Sequence, residues 1–209
     1  MSFFENTRKP VGLGGKIMVA MMNIGHSAMA AWGLHFLQLA PDAIVLDCGC
    51  GGGANIKTLL KRCPKGKVQG IDYSAVSVEK TRKVNAGAIA AGRCAVQQAS
   101  VAELPFEAEQ FDVVTAFETV YFWPELAQNF REVYRVLKPG GTFCGCFYVK
   151  GKQKRTDWFV RHIYERTGFF TLPYETASSL KKRLEKLYAT VTLGTVKGMA
   201  WFACRKGLR

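Results

Sequence analysis

The amino-acid sequence predicts an α/β protein with a doubly wound, seven-stranded, mostly parallel sheet, one antiparallel edge strand and helices on both faces. After Pro41, short β-rich runs alternate with helical stretches, which is typical of βαβ units. Near the end of the chain, two β-rich runs are separated only by Lys197-Gly198, which predicts an antiparallel hairpin at the sheet edge. The 209 residues are 48% hydrophobic and 22% charged, so one large domain can bury a core without disulfide or metal staples.

The strands are predicted where apolar and β-branched residues cluster between turn residues. Each crossover between parallel strands is expected to be right-handed. In chain order the predicted strands are Ile44–Asp47, Lys67–Asp72, Cys94–Ala99, Phe111–Phe117, Thr142–Val149, Ala189–Val196 and Met199–Arg205.

Helices are predicted from start and stop signals in the sequence. Ser74 is suited to cap a helix that runs to about Ala91. Pro124 is tolerated in a first turn, and a helix from there to about Leu137 would end at the Lys-Pro-Gly-Gly stretch that follows. The other predicted helices follow the first glycine cluster as far as Arg62 and cover Thr156–Thr167 and Thr176–Tyr188.

The first 40 residues are predicted to form a helical cap on a core that comprises residues 41–209. Ile17–Ala40 contains no Lys, Arg, Asp or Glu and is long enough to cross a bilayer. The Asn-Ile-Gly-His-Ser stretch at residues 23–27 divides it into two shorter amphipathic pieces. We therefore expect a pair of helices packed on the core and no membrane span.

Charge and cysteine content restrict the partners and the compartment. The chain has 29 Lys and Arg against 16 Asp and Glu, a formal net charge of +13, which can attract nucleic acid or anionic substrates. The basic residues form several short groups, which favours solvated helix faces. Seven cysteines and no leader pattern predict a reduced, cytoplasmic protein. Cys48-x-Cys50 and Cys144-x-Cys146 resemble zinc-binding pairs, but the predicted sheet order puts a strand between them, so no metal is expected.

The sharpest chemical signal is the stretch from Val45 to Gly53, in which a strand ends in Asp47 and runs into glycines before a helix. Glycines let the backbone turn sharply and approach a ligand closely, and the helix N-terminus offers free N–H groups. Asp72, at the end of the second strand, is placed to bind a ribose diol, although either Asp could instead cap a turn. The pattern predicts an adenosine-containing cofactor. It leaves a nicotinamide dinucleotide open, although Asp47 would repel a pyrophosphate and favours an adenosyl sulfonium.

Four blocks, in their order and spacing, resemble the class I S-adenosylmethionine-dependent methyltransferases from Ala43 to about Arg205. The resemblance implies S-adenosylmethionine as cofactor, S-adenosylhomocysteine as product and methyl transfer to a small-molecule acceptor by in-line displacement. The blocks are Leu46-Asp47-x-Gly49-x-Gly51-Gly52-Gly53, Gly70-Ile71-Asp72-Tyr73-Ser74, Leu104-Pro105-Phe106 with Phe111-Asp112-Val113-Val114, and Val136-Leu137-Lys138-Pro139-Gly140-Gly141.

The resemblance also implies roles for individual residues. The glycine loop would pack against the methionine moiety, the acid after the second strand would bind the ribose, and the next residue would lie against adenine. Two residues after the third strand would meet the adenine edge, where a serine stands in place of the Asp of many relatives. A carbonyl at the end of the fourth strand would receive the cofactor ammonium. The implied cofactor-binding residues are Asp47, Gly49, Gly51, Gly53, Asp72, Tyr73, Ser100, Val101 and Phe117.

Methyl transfer from a sulfonium mainly requires alignment and a dry pocket, so few dedicated catalytic groups are expected. Glu118, Tyr121 and His26 are the residues predicted to take a proton from the acceptor. Core packing is the alternative for Tyr121, and a backbone-bonded position at a helix junction is the alternative for His26. The protein is expected to be a monomer or a homodimer. The functions left open are an RNA methyltransferase, an NAD(P)-dependent oxidoreductase and a non-catalytic module that binds an adenosyl cofactor.

Overall fold

The computed structural model describes residues 32–123, 125–148, 177–196 and 199–208. The predicted cap lies outside the described residues except for 32–40, of which 32–35 are helical. His26 and the predicted helix Thr156–Thr167 also lie outside them. No helix in the described ranges combines the length and apolar character that a bilayer crossing requires.

The described strands form one seven-stranded sheet, which confirms the predicted fold class. The strands are β1 (Ile44–Cys48), β2 (Lys67–Asp72), β3 (Cys94–Gln98), β4 (Phe111–Phe117), β5 (Leu137–Tyr148), β6 (Thr190–Val196) and β7 (Met199–Arg205). They lie side by side in the order β3-β2-β1-β4-β5-β7-β6. All pairings from β3 to β5 are parallel, whereas β7 runs antiparallel to both of its neighbours, so the predicted hairpin forms the edge with β6 outermost.

Helices lie on both faces of the sheet. The described helices are α1 (Ala54–Arg62), α2 (Ala75–Val84), α3 (Ala86–Ala90), α4 (Leu126–Val136) and α5 (Ala177–Leu184). One apolar cluster joins strand residues such as Val45 to α1 and α2, and another joins residues such as Leu46 to α4 and α5. Neighbouring strand residues thus point to opposite faces and both are fully buried, as expected for a parallel sheet covered on both sides.

The helix predicted from Ser74 to Ala91 is interrupted at Asn85. Ser74 does cap α2, since its side chain accepts a hydrogen bond from the backbone N–H of Ser77. Asn85, however, leaves the helical backbone range with φ −111° and separates α2 from α3. Its side-chain amide donates to the carbonyls of Gly53 and Thr81, at 3.1 and 3.0 Å. The prediction of one continuous helix was wrong because this tertiary contact is not visible in local sequence.

The Lys-Pro-Gly-Gly stretch after α4 is not a separate turn but the beginning of β5. Phe111 pairs with Leu137, whereas Val113 pairs with Thr142, so the extra residues of β5 are accommodated as an irregularity opposite the start of β4. Gly140 has φ +71°, a backbone conformation that favours glycine. The fifth strand therefore begins earlier than predicted.

The strand order reverses between β1 and β4, because the chain leaves β1 toward β2 and β3 and returns to the other side at β4. In open α/β sheets, ligands bind at the carboxyl ends of the strands beside such a reversal. The residues after β1, β2 and β4 therefore form the part of the molecule where a site is expected.

Candidate functional site

The loop between β1 and α1 is built on three glycines with positive φ: +82° at Gly49, +53° at Gly51 and +85° at Gly53. The backbone N–H groups of Gly49 and Cys50 both donate to the carbonyl of Ile71 in β2, at 2.8 and 2.9 Å. The loop is therefore tied to the neighbouring strand, and its conformation disfavours any residue with a side chain at these positions.

The three glycines differ in what surrounds them. A Cβ atom at Gly49 would collide with the side chain of Thr119, and one at Gly53 would lie 2.7 Å from the amide nitrogen of Asn85. A Cβ atom at Gly51 would meet nothing within 4 Å. Gly49 and Gly53 are thus required by packing within the protein, whereas the backbone at Gly51 borders open space that a ligand can occupy.

Asp72 fixes the position of this exposed backbone. Its Oδ2 atom accepts a hydrogen bond from the N–H of Gly51 at 2.9 Å, and its Oδ1 atom accepts one from the N–H of Ser74 at 2.8 Å. Burial raises the pKa of this carboxyl, and the bonds from Ser74 and Gly51 oppose that change. Asp72 therefore performs the turn-capping role considered from the sequence, and each oxygen keeps capacity to accept a further hydrogen bond.

Asp47 is 1% exposed and lies at the end of β1. Its Oδ1 atom accepts a hydrogen bond from the hydroxyl of Thr115 at 2.7 Å, whereas its Oδ2 atom is buried and has no hydrogen-bond partner among the described residues. Burial raises the pKa of Asp47 to about 6, with the Thr115 bond opposing the change and the charge of Asp72 adding to it. A buried acceptor without a donor is costly and indicates a site for an absent polar group.

The end of β4 contacts the glycine loop. Glu118 is buried and has φ +58°, and its backbone N–H donates to the carbonyl of Cys146 at 2.8 Å. The next residue, Thr119, packs against Gly49 and donates its hydroxyl to the carbonyl of Cys48 at 3.0 Å. An uncommon backbone conformation in a non-glycine residue is held here by contacts on both sides, as is typical of functional sites.

The other predicted residues lie at the same end of the sheet with differing exposure. Tyr73 follows β2 and is 57% exposed, so its ring is accessible. Ser100 and Val101 follow β3, with Ser100 half-buried and Val101 buried. Phe117 ends β4 and is buried. Tyr121 is partly buried against the core, where its ring meets that of a neighbouring phenylalanine at 4.6 Å.

Several residues that support the loop were missed in the sequence. The hydroxyl of Thr81 donates to the carbonyl of Gly51 at 2.7 Å, beside the Asn85 contact to Gly53. Ser77 and Thr81 in α2 and Asn85 at its C-terminal end are all buried, and their four-residue spacing places them on one face. From this face Thr81 and Asn85 bind the loop backbone, and Ser77 forms a hydrogen bond with Asp72. That spacing was an available signal. No comparable signal marks Thr115 or Thr119, because threonine is common in strands and also occurs in the turns that follow them.

The cysteines are free and buried throughout the described residues. Strand β4 separates the strands that carry the Cys48 and Cys144 pairs, as the predicted order required. Burial raises the pKa of Cys144 to about 12. Within the described ranges, no three His, Cys, Asp or Glu side chains are grouped as metal ligands.

Comparison with known proteins shows which family this part of the chain resembles. Residues 46–145 match the family described as "Methyltransferase domain". The chain is 33% identical to cycloartenol-C-24-methyltransferase 1 of Oryza sativa subsp. japonica over 63% of its own length and 36% of that protein. It is 30% identical to malonyl-[acyl-carrier protein] O-methyltransferase of Legionella pneumophila, over 66% and 48% of the two lengths. The chain thus spans less than half of these curated relatives.

A solved structure shows the same fold. Phosphoethanolamine N-methyltransferase 2 of Haemonchus contortus, determined with S-adenosylhomocysteine, superposes with a TM-score of 0.79 at 14% identity, over 99% of this chain and 61% of that one. The sheet order, the glycine loop and the match to the family model all indicate a methyltransferase-like domain. Over residues 46–145 the chain is therefore similar to the methyltransferase-domain family, and its fold is the one seen in a solved methyltransferase.

Proposed function

We propose that this protein is an enzyme that transfers a methyl group from S-adenosylmethionine to a small-molecule acceptor. The observation that carries the proposal is the backbone at Gly51, which borders open space and is held by Asp72 on its N–H and Thr81 on its carbonyl. When bound, S-adenosylmethionine would supply an electrophilic methyl group on a sulfonium centre. The cofactor carries a ribose diol, an adenine and an ammonium group, and the residues around the loop offer a group suited to each.

The residues after β2 and β3 would bind the nucleoside part. The Asp72 carboxylate, already oriented by two backbone N–H groups, would accept hydrogen bonds from the ribose hydroxyls through its remaining lone pairs. The exposed Tyr73 ring would stack on adenine, and Ser100 and Val101 would border its edge. Ser100 lacks the carboxylate of many relatives, so we expect a weaker contact to the adenine amino group.

The residues after β1 and β4 would bind the amino acid part. The unpartnered Oδ2 atom of Asp47 would accept a hydrogen bond from the ammonium, with the Phe117 carbonyl as a second acceptor. A nearby cation favours the ionised carboxylate and offsets the burial that raises the pKa of Asp47. An adenosine dinucleotide would instead bring a pyrophosphate toward this carboxylate, which disfavours the oxidoreductase alternative.

Catalysis would depend chiefly on alignment of the acceptor and exclusion of water. Glu118 is the proposed proton acceptor, because it places a buried carboxylate at the end of β4 beside the loop contact made by Thr119. Tyr121 and His26 remain the other proposed catalytic residues. The proposed cap of residues 1–40 would cover this side of the core of residues 41–209 and select the acceptor.

A small-molecule acceptor is preferred over RNA. The curated relatives are named for methylation of a sterol precursor and of a malonyl-acyl carrier, and they support small or carrier-bound acceptors in general. Within the described residues, several basic side chains bind main-chain carbonyls, so part of the positive charge has a structural role. We further propose a cytoplasmic location, supported by free thiols, and a monomer or homodimer.

Gly51 and Gly92 provide a matched test of the cofactor site. Both have positive φ, +53° and +68°, and a Cβ atom at either would meet nothing within 4 Å. Gly92 lies just before the first residue of β3, and therefore at the opposite end of the parallel strands from the glycine loop. Substitution by alanine should destabilise both variants equally, by about 1 kcal/mol. Only Gly51→Ala should weaken binding of S-adenosylhomocysteine, by about 10-fold or more, in titration calorimetry.

The wild-type protein provides the decisive measurement. Binding heat in calorimetry or a thermal shift is expected with S-adenosylmethionine and with S-adenosylhomocysteine. If neither ligand produces either signal, the proposal is refuted. A thermal shift with NAD instead would support the oxidoreductase. Incubation of metabolite pools with methyl-labelled cofactor should then transfer label to a small molecule. Binding without any labelled product would indicate a non-catalytic module, and labelled RNA with steeply salt-dependent binding would indicate an RNA methyltransferase.

A further inference from the structure

Thr115 has a buried hydroxyl next to the candidate ammonium site. It lies in β4 directly opposite Asp47 in β1, so both side chains point to the same face of the sheet. The side chain is fully buried, and its hydroxyl oxygen lies 2.7 Å from Oδ1 of Asp47 and 3.3 Å from the carbonyl oxygen of Leu46. This is the only hydrogen bond to the Asp47 carboxylate within the described residues.

The two acceptors near Thr115 suit the two protonation states of Asp47. When the carboxylate is ionised, the single hydroxyl proton donates to Oδ1 at the shorter distance. When Asp47 is protonated, Thr115 can accept from it and turn its own proton toward Leu46. Either way Oδ1 stays engaged, and Oδ2 remains the oxygen available to an incoming donor.

The other titratable groups around Asp47 all disfavour its charge or are neutral. They are the Asp72 carboxylate at the end of β2, the thiols of Cys48 and Cys50 next to it in the chain, and the thiol of Cys144 in β5. None of the ion pairs within the described residues involves Asp47. Thr115 is therefore the described side chain that stabilises the ionised form.

We propose that Thr115 is a positioning residue that keeps Asp47 ionised and holds its free oxygen toward the cofactor ammonium, and thereby determines the lowest pH at which the cofactor binds. This inference rests on the proposed function, because it requires an ammonium-bearing ligand at the loop. It adds to that function a residue that no motif in the sequence marks.

The test compares the wild type with Thr115→Val, which has the same shape without the hydroxyl, and with Thr115→Ser, which keeps it. Affinity for S-adenosylmethionine is measured by calorimetry from about pH 5.5 to 8.5. Wild-type affinity should fall as the pH falls through about 6, where Asp47 becomes protonated. Thr115→Val should bind about 10-fold more weakly at pH 7 and lose affinity at a higher pH, whereas Thr115→Ser should resemble the wild type.

Methylthioadenosine, which has no ammonium or carboxylate, separates positioning from general structural damage. Its affinity should be the same in all three proteins and independent of Asp47 protonation. An equal loss for both ligands in Thr115→Val, or an unchanged affinity and pH profile for S-adenosylmethionine, would overturn the inference. If Thr115→Val does not fold, the same two affinities are measured for Thr115→Ala, and the results expected for Thr115→Val apply to it. A wild type that binds methylthioadenosine but not S-adenosylmethionine, or neither, contradicts the proposed function itself.

Discussion

Polar groups are satisfied differently at the two ends of the parallel strands. We call the side of the sheet where these strands begin the amino edge and the side where they end the carboxyl edge. At the amino ends of the strands, charged side chains are paired: Asp112 accepts from the N–H of Ile44 and from Lys138, both at 2.8 Å. Lys206 is nearly buried there and donates to the carbonyls of Tyr134 and Leu137, at 3.0 and 2.7 Å. Charges and carbonyls at this edge satisfy one another within the protein.

At the carboxyl ends, by contrast, Asp47 and Asp72 form no ion pair within the described residues. Asp47 has one oxygen without a hydrogen bond among the described residues, and Asp72 accepts hydrogen bonds from two backbone N–H groups and from the side chain of Ser77. Glu118 is buried with a backbone conformation that favours glycine. Such features cost stability and are typical of sites prepared for a ligand. The difference supports the proposal that the carboxyl edge binds the cofactor, whereas the contacts at the amino edge stabilise the fold.

The largest effect is expected at the amino edge, from Arg93→Met. The Arg93 side chain donates to the carbonyls of Leu60, Cys63 and Gly66, at 2.9, 2.7 and 3.2 Å. Its loss leaves three carbonyls without this donor and should lower the free energy of unfolding by about 3 kcal/mol, measured by urea denaturation. Affinity for S-adenosylhomocysteine should not change, because these contacts lie at the opposite edge from the loop.

Lys65→Met is the matched control, since Lys65 is an exposed cation in the same turn as Cys63 and Gly66. It should change the free energy of unfolding by less than about 0.5 kcal/mol. A similar loss in both variants would mean that net charge, rather than the carbonyl contacts of Arg93, stabilises this edge. Weakened cofactor binding in Arg93→Met would contradict the separation of the two edges.

At the carboxyl edge, Asp47→Asn is expected to raise the free energy of unfolding rather than lower it. Burial raises the pKa of Asp47 from 3.8 to about 6, so the folded state binds more protons than the unfolded state between these values. Wild-type stability therefore falls as the pH rises through this window. Without ligand, Asp47→Asn should be more stable than the wild type by about 2 to 3 kcal/mol above pH 6, and the gain should vanish below about pH 4. Cofactor binding should be weakened.

Asp112→Asn is the corresponding change at the amino edge. Its carboxylate already has Lys138 and the N–H of Ile44 as partners, so loss of the charge should reduce stability at neutral pH. Urea denaturation of both variants at about pH 4 and 7.5 measures the difference. A destabilised Asp47→Asn at neutral pH would show that Asp47 has a structural role in the free protein.

The fold could be predicted because its signals are local. Alternation of strands and helices, the Ser74 cap and the glycine loop depend on residues close together in sequence, and each was confirmed. The errors arose where a distant residue decides the backbone. Asn85 breaks a helix by binding Gly53, and the Lys-Pro-Gly-Gly stretch enters β5 because β4 provides a partner strand.

The candidate site was predictable only in part, for the same physical reason. Acids and glycines at strand ends are visible in sequence, and the structure brings Asp47 and Asp72 to one loop. The hydroxyls that orient this loop come from β4 and α2. Thr115 faces Asp47 only through the register of two strands that lie far apart in the chain. That register is a property of the folded sheet, so a threonine in a strand gives no advance indication of its contact.

The smallest effect on stability is expected for two glutamates that share a left-handed backbone conformation but lie at opposite edges. Glu109 and Glu118 both have φ +58°, but Glu109 is exposed in the turn before β4, 3.7 Å from Lys206. Glycine adopts this conformation without the steric cost, so Glu109→Gly and Glu118→Gly should each gain about 1 kcal/mol in the free energy of unfolding. Thermal denaturation of the two variants measures the gain.

Activity should separate the two variants, because only Glu118 is proposed to take a proton from the acceptor. With an acceptor found by methyl labelling, Glu109→Gly should retain the wild-type rate, whereas Glu118→Gly should lose about 100-fold or more of it. Binding of S-adenosylhomocysteine should persist in both, since the loop keeps its contacts to Asp72. A Glu118→Gly variant with full activity would show that the buried carboxylate is not needed for the reaction. Strain at the end of β4 would then serve only to direct Thr119 onto the glycine loop.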